Sequence, residues 1–114
     1  MNPKDAITAH VNWKLRIHTL LSGKLPDKLD PSTIEKDNVC ELGKWIYSDA
    51  RSQLPKPQHG ELLAIHAEFH REAARIVRET YAGHPIGLEA VEMGSPFGKL
   101  TTKIVGILSQ LAKA

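Results

Sequence analysis

The chain has 114 residues, 41% of them apolar and 25% charged, with a formal net charge of +2 at pH 7, which suits a single domain over residues 1–114 built on one core. Lysine and arginine are interspersed with Asp and Glu, so no basic stripe marks a nucleic-acid binder. No apolar run approaches the roughly 20 residues of a membrane span, and MNPKDAITAH lacks the apolar stretch of a secretory signal. The single cysteine excludes an internal disulfide and fits a reducing compartment, so the expectation is a soluble cytoplasmic protein that binds neither nucleic acid nor membrane.

Proline and glycine punctuate the chain, with Pro3, Pro26, Pro31, Pro55, Pro57, Pro85 and Pro96 all placed where a segment begins or ends. The first predicted helix, 3 to 22, carries Ala6, His10, Trp13, Ile17 and Leu20 at steps of four and three and is closed by Gly23. The second, 31 to 54, opens on the cap pair Asp30 and Pro31 and carries Cys40, Gly43, Tyr47, Ala50 and Leu54, with Val39, Leu42 and Ile46 as a second apolar line. The third, 58 to 82, carries Leu63, His66, His70, Ala73 and Val77 and ends before Gly83. A short helical turn at 86 to 93 precedes the last helix, 96 to 113, capped by Ser95 and striped by Leu100, Ile104, Ile107 and Leu111. Strand-like alternation is absent. Short connections join antiparallel neighbours, which predicts an all-α, antiparallel, up-down-up-down four-helix bundle.

Four residues on these inward faces carry the chemistry: His10, Cys40, His66 and His70. Histidines four apart lie on one side of a helix, and zinc takes nitrogen and sulfur ligands in a tetrahedron. Counting about 1.5 Å of rise per residue from the predicted helix ends brings the four to one layer of the bundle. A buried histidine or cysteine alone is ordinary core, but four such groups in one layer of a small core are poorly explained without a metal. The cofactor expected is therefore Zn. Trp13 and Trp45 read as packing residues whose indole N–H groups can also orient a ligand, and Gly43 marks a close approach or a kink, since glycine within a helix costs about 1 kcal/mol. His18, His59 and His84 read as surface or loop residues without a role. Glu41, Glu68 and Glu72 fall toward the outside of the bundle, and a fully ligated zinc leaves no position for a reacting water, so no catalytic residue and no enzyme is expected.

The linked segments HVNWKLRI from His10, CELGKWIY from Cys40 and HAEFHREA from His66, followed by GSPFGKLTTKIVGIL, resemble the chemoreceptor zinc-binding domain found on bacterial chemoreceptors and diguanylate cyclases. The resemblance spans nearly the whole chain. It implies a helical bundle, zinc held by His10, Cys40, His66 and His70, frequent homodimerisation and a regulatory rather than catalytic role. Family members are often attached to a signalling or enzymatic domain, which this chain lacks, so a chemoreceptor or cyclase acting in trans is an expected partner. Three functions stay open: a zinc-level sensor, a redox sensor responding to hypochlorous acid through the zinc-bound Cys40 thiolate, and a dimerisation or docking module with a structural zinc that uses the broad apolar face of Ile104, Val105, Ile107 and Leu108.

Overall fold

The computed structural model describes residues 2–24, 28–84 and 86–113; Pro26 and Pro85, read above as breaks, lie outside them. Helix α1 spans Pro3–Leu21, α2 Pro31–Ile34, α3 Glu41–Ile46, α4 Ala50–Gln53, α5 Lys56–Tyr81 and α6 Pro96–Lys113, with a 3-10 turn at Leu88–Val91 before α6. No strand occurs among the described residues, and no helix there is long and apolar enough to cross a membrane.

Helix ends follow the local chemistry. The Asn2 carboxamide oxygen accepts the Lys4 N–H at 2.9 Å with Pro3 in the first turn, and Asp30 accepts the Ser32 N–H at 3.0 Å. Gly23 and Gly83 close α1 and α5 with φ of 75° and 83°. At both ends the following N–H groups return to the last turn, Gly23 to Leu20 and Lys24 to Thr19, then Gly83 to Thr80 and His84 to Glu79, which pairs carbonyls that a helix end otherwise leaves free.

The expected second helix is not one helix. Residues 31–54 form three short segments, and Cys40 stands in the turn between the first two with extended backbone, φ −76° and ψ 161°. Lys36, Asp37 and Asn38 turn the chain, and the Asp37 carbonyl oxygen folds back so closely that a Cβ on Gly43 would lie 1.8 Å from it. Gly43 therefore answers a close approach by its own preceding turn rather than by another helix. The Tyr47 hydroxyl donates to Asp37 Oδ2 at 2.6 Å and fastens that turn to α3. Val39, read as part of a second apolar line, is 47% exposed, whereas Leu42 and Ile46 are buried. The same joint starts α6, where a Cβ on Gly98 would meet the Glu92 carbonyl at 1.9 Å and the Ser95 hydroxyl accepts the Gly98 N–H at 3.0 Å.

Packing centres on α5, which contacts α1, α2, α3, α4 and α6 and buries Leu62, Phe69, Ala74 and Ile76 besides His66, His70, Ala73 and Val77 of its expected stripe, whose Leu63 is half-buried. Phe69 stacks on Phe97 of α6 with ring centroids 5.0 Å apart, and Ile17, Leu42, Ile46, Ile104 and Leu108 complete a continuous core. The start of α1 meets the end of α6, where Pro3 and Leu111 line one recess, while Gln58 and Glu61 near the start of α5 meet Gly106 and Gln110 near the end of α6. Helices α1 and α5 thus run alike and α6 runs against both, with the broken 31–54 stretch in the fourth position of the bundle. The apolar surplus of α6 is not a free face: Ile104 and Leu108 are fully buried, and Val105 and Ile107 are half-buried.

Candidate metal centre

His10 projects from α1, His66 and His70 from successive turns of α5, and Cys40 from the N-cap of α3. One ligand atom from each lies within 4.8 Å of all the others. The inner distances are tighter: Cys40 Sγ is 3.3 Å from His66 Nε2 and 3.6 Å from His70 Nε2, and the two Nε2 atoms are 3.1 Å apart. A tetrahedral ion with bonds of about 2.3 Å to sulfur and 2.0–2.1 Å to nitrogen has edges of about 3.3–3.6 Å. Three donors already sit at the corners of such a figure.

The surrounding hydrogen bonds fix which nitrogens face inward. His10 Nδ1–H donates to the Ala6 carbonyl at 2.7 Å, and His70 Nδ1–H donates to the Ile34 carbonyl at 2.8 Å. In the neutral rings these bonds leave Nε2 as a bare lone pair. His10 Nε2 is buried without any partner. The Nε2 atoms of His66 and His70 lie 3.1 Å apart, a hydrogen bond in which His66 Nε2–H donates to the bare His70 Nε2 while the rings are neutral and metal-free, and a cation can take the place of that proton. His66 lacks the outer support its neighbours have, because its Nδ1 is buried without a partner.

Electrostatics favours the uncharged, metal-ready imidazoles. Burial lowers the pKa of His66 to about 3, helped by the proximity of His70 and His10. Burial likewise lowers His10, with the Ala6 hydrogen bond working against it, and lowers His70 against the Ile34 hydrogen bond and the Asp37 charge. The Cys40 thiol is pushed up by burial, while N–H groups at the start of α3 pull it down, the Gly43 N–H lying 3.4 Å from Sγ. Phe69 forms a wall of the site, edge-on to both His10 and His70 at centroid distances of 5.2 and 5.5 Å.

The four residues singled out in the sequence are thus brought together, but the supporting residues differ from expectation. The Trp45 indole N–H donates to Gln53 Oε1 at 3.3 Å rather than toward a ligand. Trp13 packs at the edge of the core under the Arg16 guanidinium, 4.3 Å from its ring centroid. His59, read as a loop residue without a role, is half-buried, and its Nε2–H donates to the Ile46 carbonyl at 2.8 Å, closing α3. His18 and His84 are exposed, His84 pairing with Glu79. The carbonyls of Ala6 and Ile34 escaped the sequence reading altogether. Ala6, four residues before His10, was discoverable from helical spacing; Ile34 belongs to a segment whose path only tertiary packing sets.

A small all-helical domain whose core polar groups converge in a His3Cys cluster belongs to the class of helical metal-binding domains. Residues 10–77, more than half of the chain, match the family described as the chemoreceptor zinc-binding domain, and the chain belongs to that family, a regulatory rather than an enzymatic one. No curated protein and no solved structure matches it.

Proposed function

We propose that this chain is a zinc-binding regulatory domain of bacterial signalling that holds one zinc ion with His10 Nε2, Cys40 Sγ, His66 Nε2 and His70 Nε2 and responds to zinc level. The observation that carries the reading is the set of converging nitrogen and sulfur atoms, three of them 3.1–3.6 Å apart and a fourth, His10 Nε2, buried without a partner. When bound, zinc supplies four directed bonds, holds the cysteine as thiolate and keeps no position for water, so the site is regulatory or structural rather than hydrolytic.

The chain's own residues convert occupancy into shape. Helix α1 rests chiefly on α6, and His10 is its one member of the cluster. Without metal the His10 ring gives α1 no polar attachment to α5; with metal, His10 ties α1 to the α3 cap and to α5. A change of arrangement follows only if the two arrangements differ in zinc affinity, and the free His10 nitrogen supplies that difference. The purified protein is expected to carry one zinc per chain, and stripping it is expected to raise hydrogen exchange across residues 4–20 more than across α5. Equal protection with and without metal would count against the coupling.

A second reading, redox sensing, is favoured by the position of Cys40, which lines a recess open to solvent while His66 and His70 are closed off. A thiolate attacks hypochlorous acid to give sulfenic acid and chloride, two electrons passing from sulfur to chlorine and the hydroxyl staying on sulfur. The Cys40 side chain then loses its charge and its strength as a ligand. Mass spectrometry after stoichiometric oxidant tests it: one added oxygen at Cys40 with loss of metal supports redox sensing, and an unmodified, metal-retaining chain removes it. The output we assign to a cytoplasmic homodimer or to a chemoreceptor or diguanylate cyclase engaged in trans.

A further inference from the structure

A recess of about 260 Å³ opens between the first turns of α1 and the start of α3, with Asp5, Ala6, Ala9, His10, Cys40 and Glu41 on its walls. Four other surface recesses touch none of the four cluster residues. His66 and His70 are 0% and 3% exposed, so a cation arriving through this opening meets Cys40 and His10 before them. His10 is itself 1% exposed and its unpartnered Nε2 belongs to a ring lining the recess. Two carboxylates stand at the mouth of a protein whose net charge is positive. Asp5 and Glu41 are both exposed, and the exposed Lys44, 3.8 Å from Glu41, offsets them only weakly, as surface ion pairs do.

We infer that this recess is the inlet and outlet for the metal, and that Asp5 and Glu41 form an electrostatic funnel that speeds the arrival of divalent cations at the site. The inference rests on the zinc-site reading above and deepens it from occupancy to exchange. A cleft lined by one sign of charge concentrates the oppositely charged ion and accelerates its arrival. The carboxylates lie outside the cluster and contribute no ligand to the bound ion, so they act mainly on passage. Narrowing the passage sterically slows arrival and release equally and leaves affinity nearly constant, whereas removing the carboxylates slows arrival more than release.

The test is stopped-flow zinc association, read by competition with a fluorescent zinc indicator, together with zinc release into excess polyaminocarboxylate chelator. The wild type is compared with an Asp5→Asn/Glu41→Gln double variant and with Ala9→Trp, which fills the recess from an exposed position on α1. The double variant is expected to associate about fivefold or more slowly at low salt, the difference fading as ionic strength rises and the Debye length shrinks. Ala9→Trp is expected to slow arrival and release by the same factor, with unchanged affinity. Wild-type rates in both variants, or faster release from Ala9→Trp, would overturn the inlet while leaving the zinc site standing. A wild type that binds no zinc would overturn the site and the inlet with it.

Discussion

His66→Leu is expected to move the protein in opposite directions with and without zinc. In the metal-free chain His66 is fully buried and its Nδ1 has no partner, while its Nε2 bonds only to the other cluster members, His70 Nε2 at 3.1 Å and Cys40 Sγ at 3.3 Å. Each buried unsatisfied polar group costs about 1–3 kcal/mol, and leucine has a similar volume without those groups, with repacking losses usually under about 1.5 kcal/mol. The metal-free variant should therefore be as stable as the wild type or about 1–2 kcal/mol more stable, seen as a higher urea midpoint. Zinc reverses the order. A four-ligand structural site is worth about 10–16 kcal/mol, so losing one ligand should weaken binding by roughly two to three orders of magnitude. Wild type in zinc gains stability by mass action, and the variant gains about 3–4 kcal/mol less at the same free zinc. His59→Ala, whose ring closes α3 instead of facing the cluster, is the control and should bind zinc like the wild type. A His66→Leu chain that is destabilised without metal and keeps wild-type affinity would refute the proposed site.

The second large effect is in pH. His66 has a folded pKa of about 3 against an ordinary value of 6.5, so the unfolded chain binds a proton in that window and the folded chain does not. Stability of the metal-free protein is then fully present above pH 6.5 and is lost as pH falls toward 3, at about 1.4 kcal/mol per pH unit for this one group. The depressed His10 and His70 act in the same direction. Cys40 is raised instead, so its contribution is present below its unfolded pKa and declines as pH rises past it. A metal-free stability maximum between about pH 6.5 and 8.5 follows. Zinc binding reads the same groups differently. Near pH 7 the imidazoles are already free of their extra proton while the thiol still carries its own, so one proton should leave per zinc, and log K should rise by about one per pH unit. Calorimetry in buffers of different ionisation enthalpy counts that proton. Release of two or more protons at pH 7 would show that the histidines are charged before metal arrives, contrary to their burial.

Much of the site was legible because its ligands obey helical arithmetic. The i, i+4 spacing of His66 and His70 needs only one helix, and His10 shares its face with Ala6 and Ile17, all three buried. Proline, glycine and cap residues set α1 and α6 to within a residue of expectation, and α5 to within two. Cys40 does lie beside the three histidines, but its expected position rested on a helix that does not form. Its three-and-four spacing to Gly43 and Tyr47 is real, yet Asp37 and Asn38 prefer turns and caps, and the decisive contact is a backbone carbonyl over Gly43. Periodicity follows side chains and has no access to a carbonyl. The convergence survived because packing returns the broken stretch to α5, where Ile34 accepts the His70 hydrogen bond. The apolar excess of α6 misled for a related reason: Phe69, Phe97 and the wide buried face of α5 draw that surface inward. The large apolar side chains left exposed include Val11, Leu15, Leu88 and Met93, on α1 and around the 3-10 turn.

The Cys40 sulfur belongs to two structures at once. It is a corner of the cluster, and it accepts the Gly43 N–H that begins α3, the place the Ser95 hydroxyl holds at the start of α6. An oxygen cap serves folding only; a sulfur cap is also a reagent. Zinc keeps this atom a thiolate and so strengthens the acceptor that holds the first turn of a six-residue helix, whereas an oxidant removes its charge and weakens the same hold. The charge of a single atom thereby sets how firmly the first turn of α3 is held, so the residue that reads the chemistry is also the one that begins the helix.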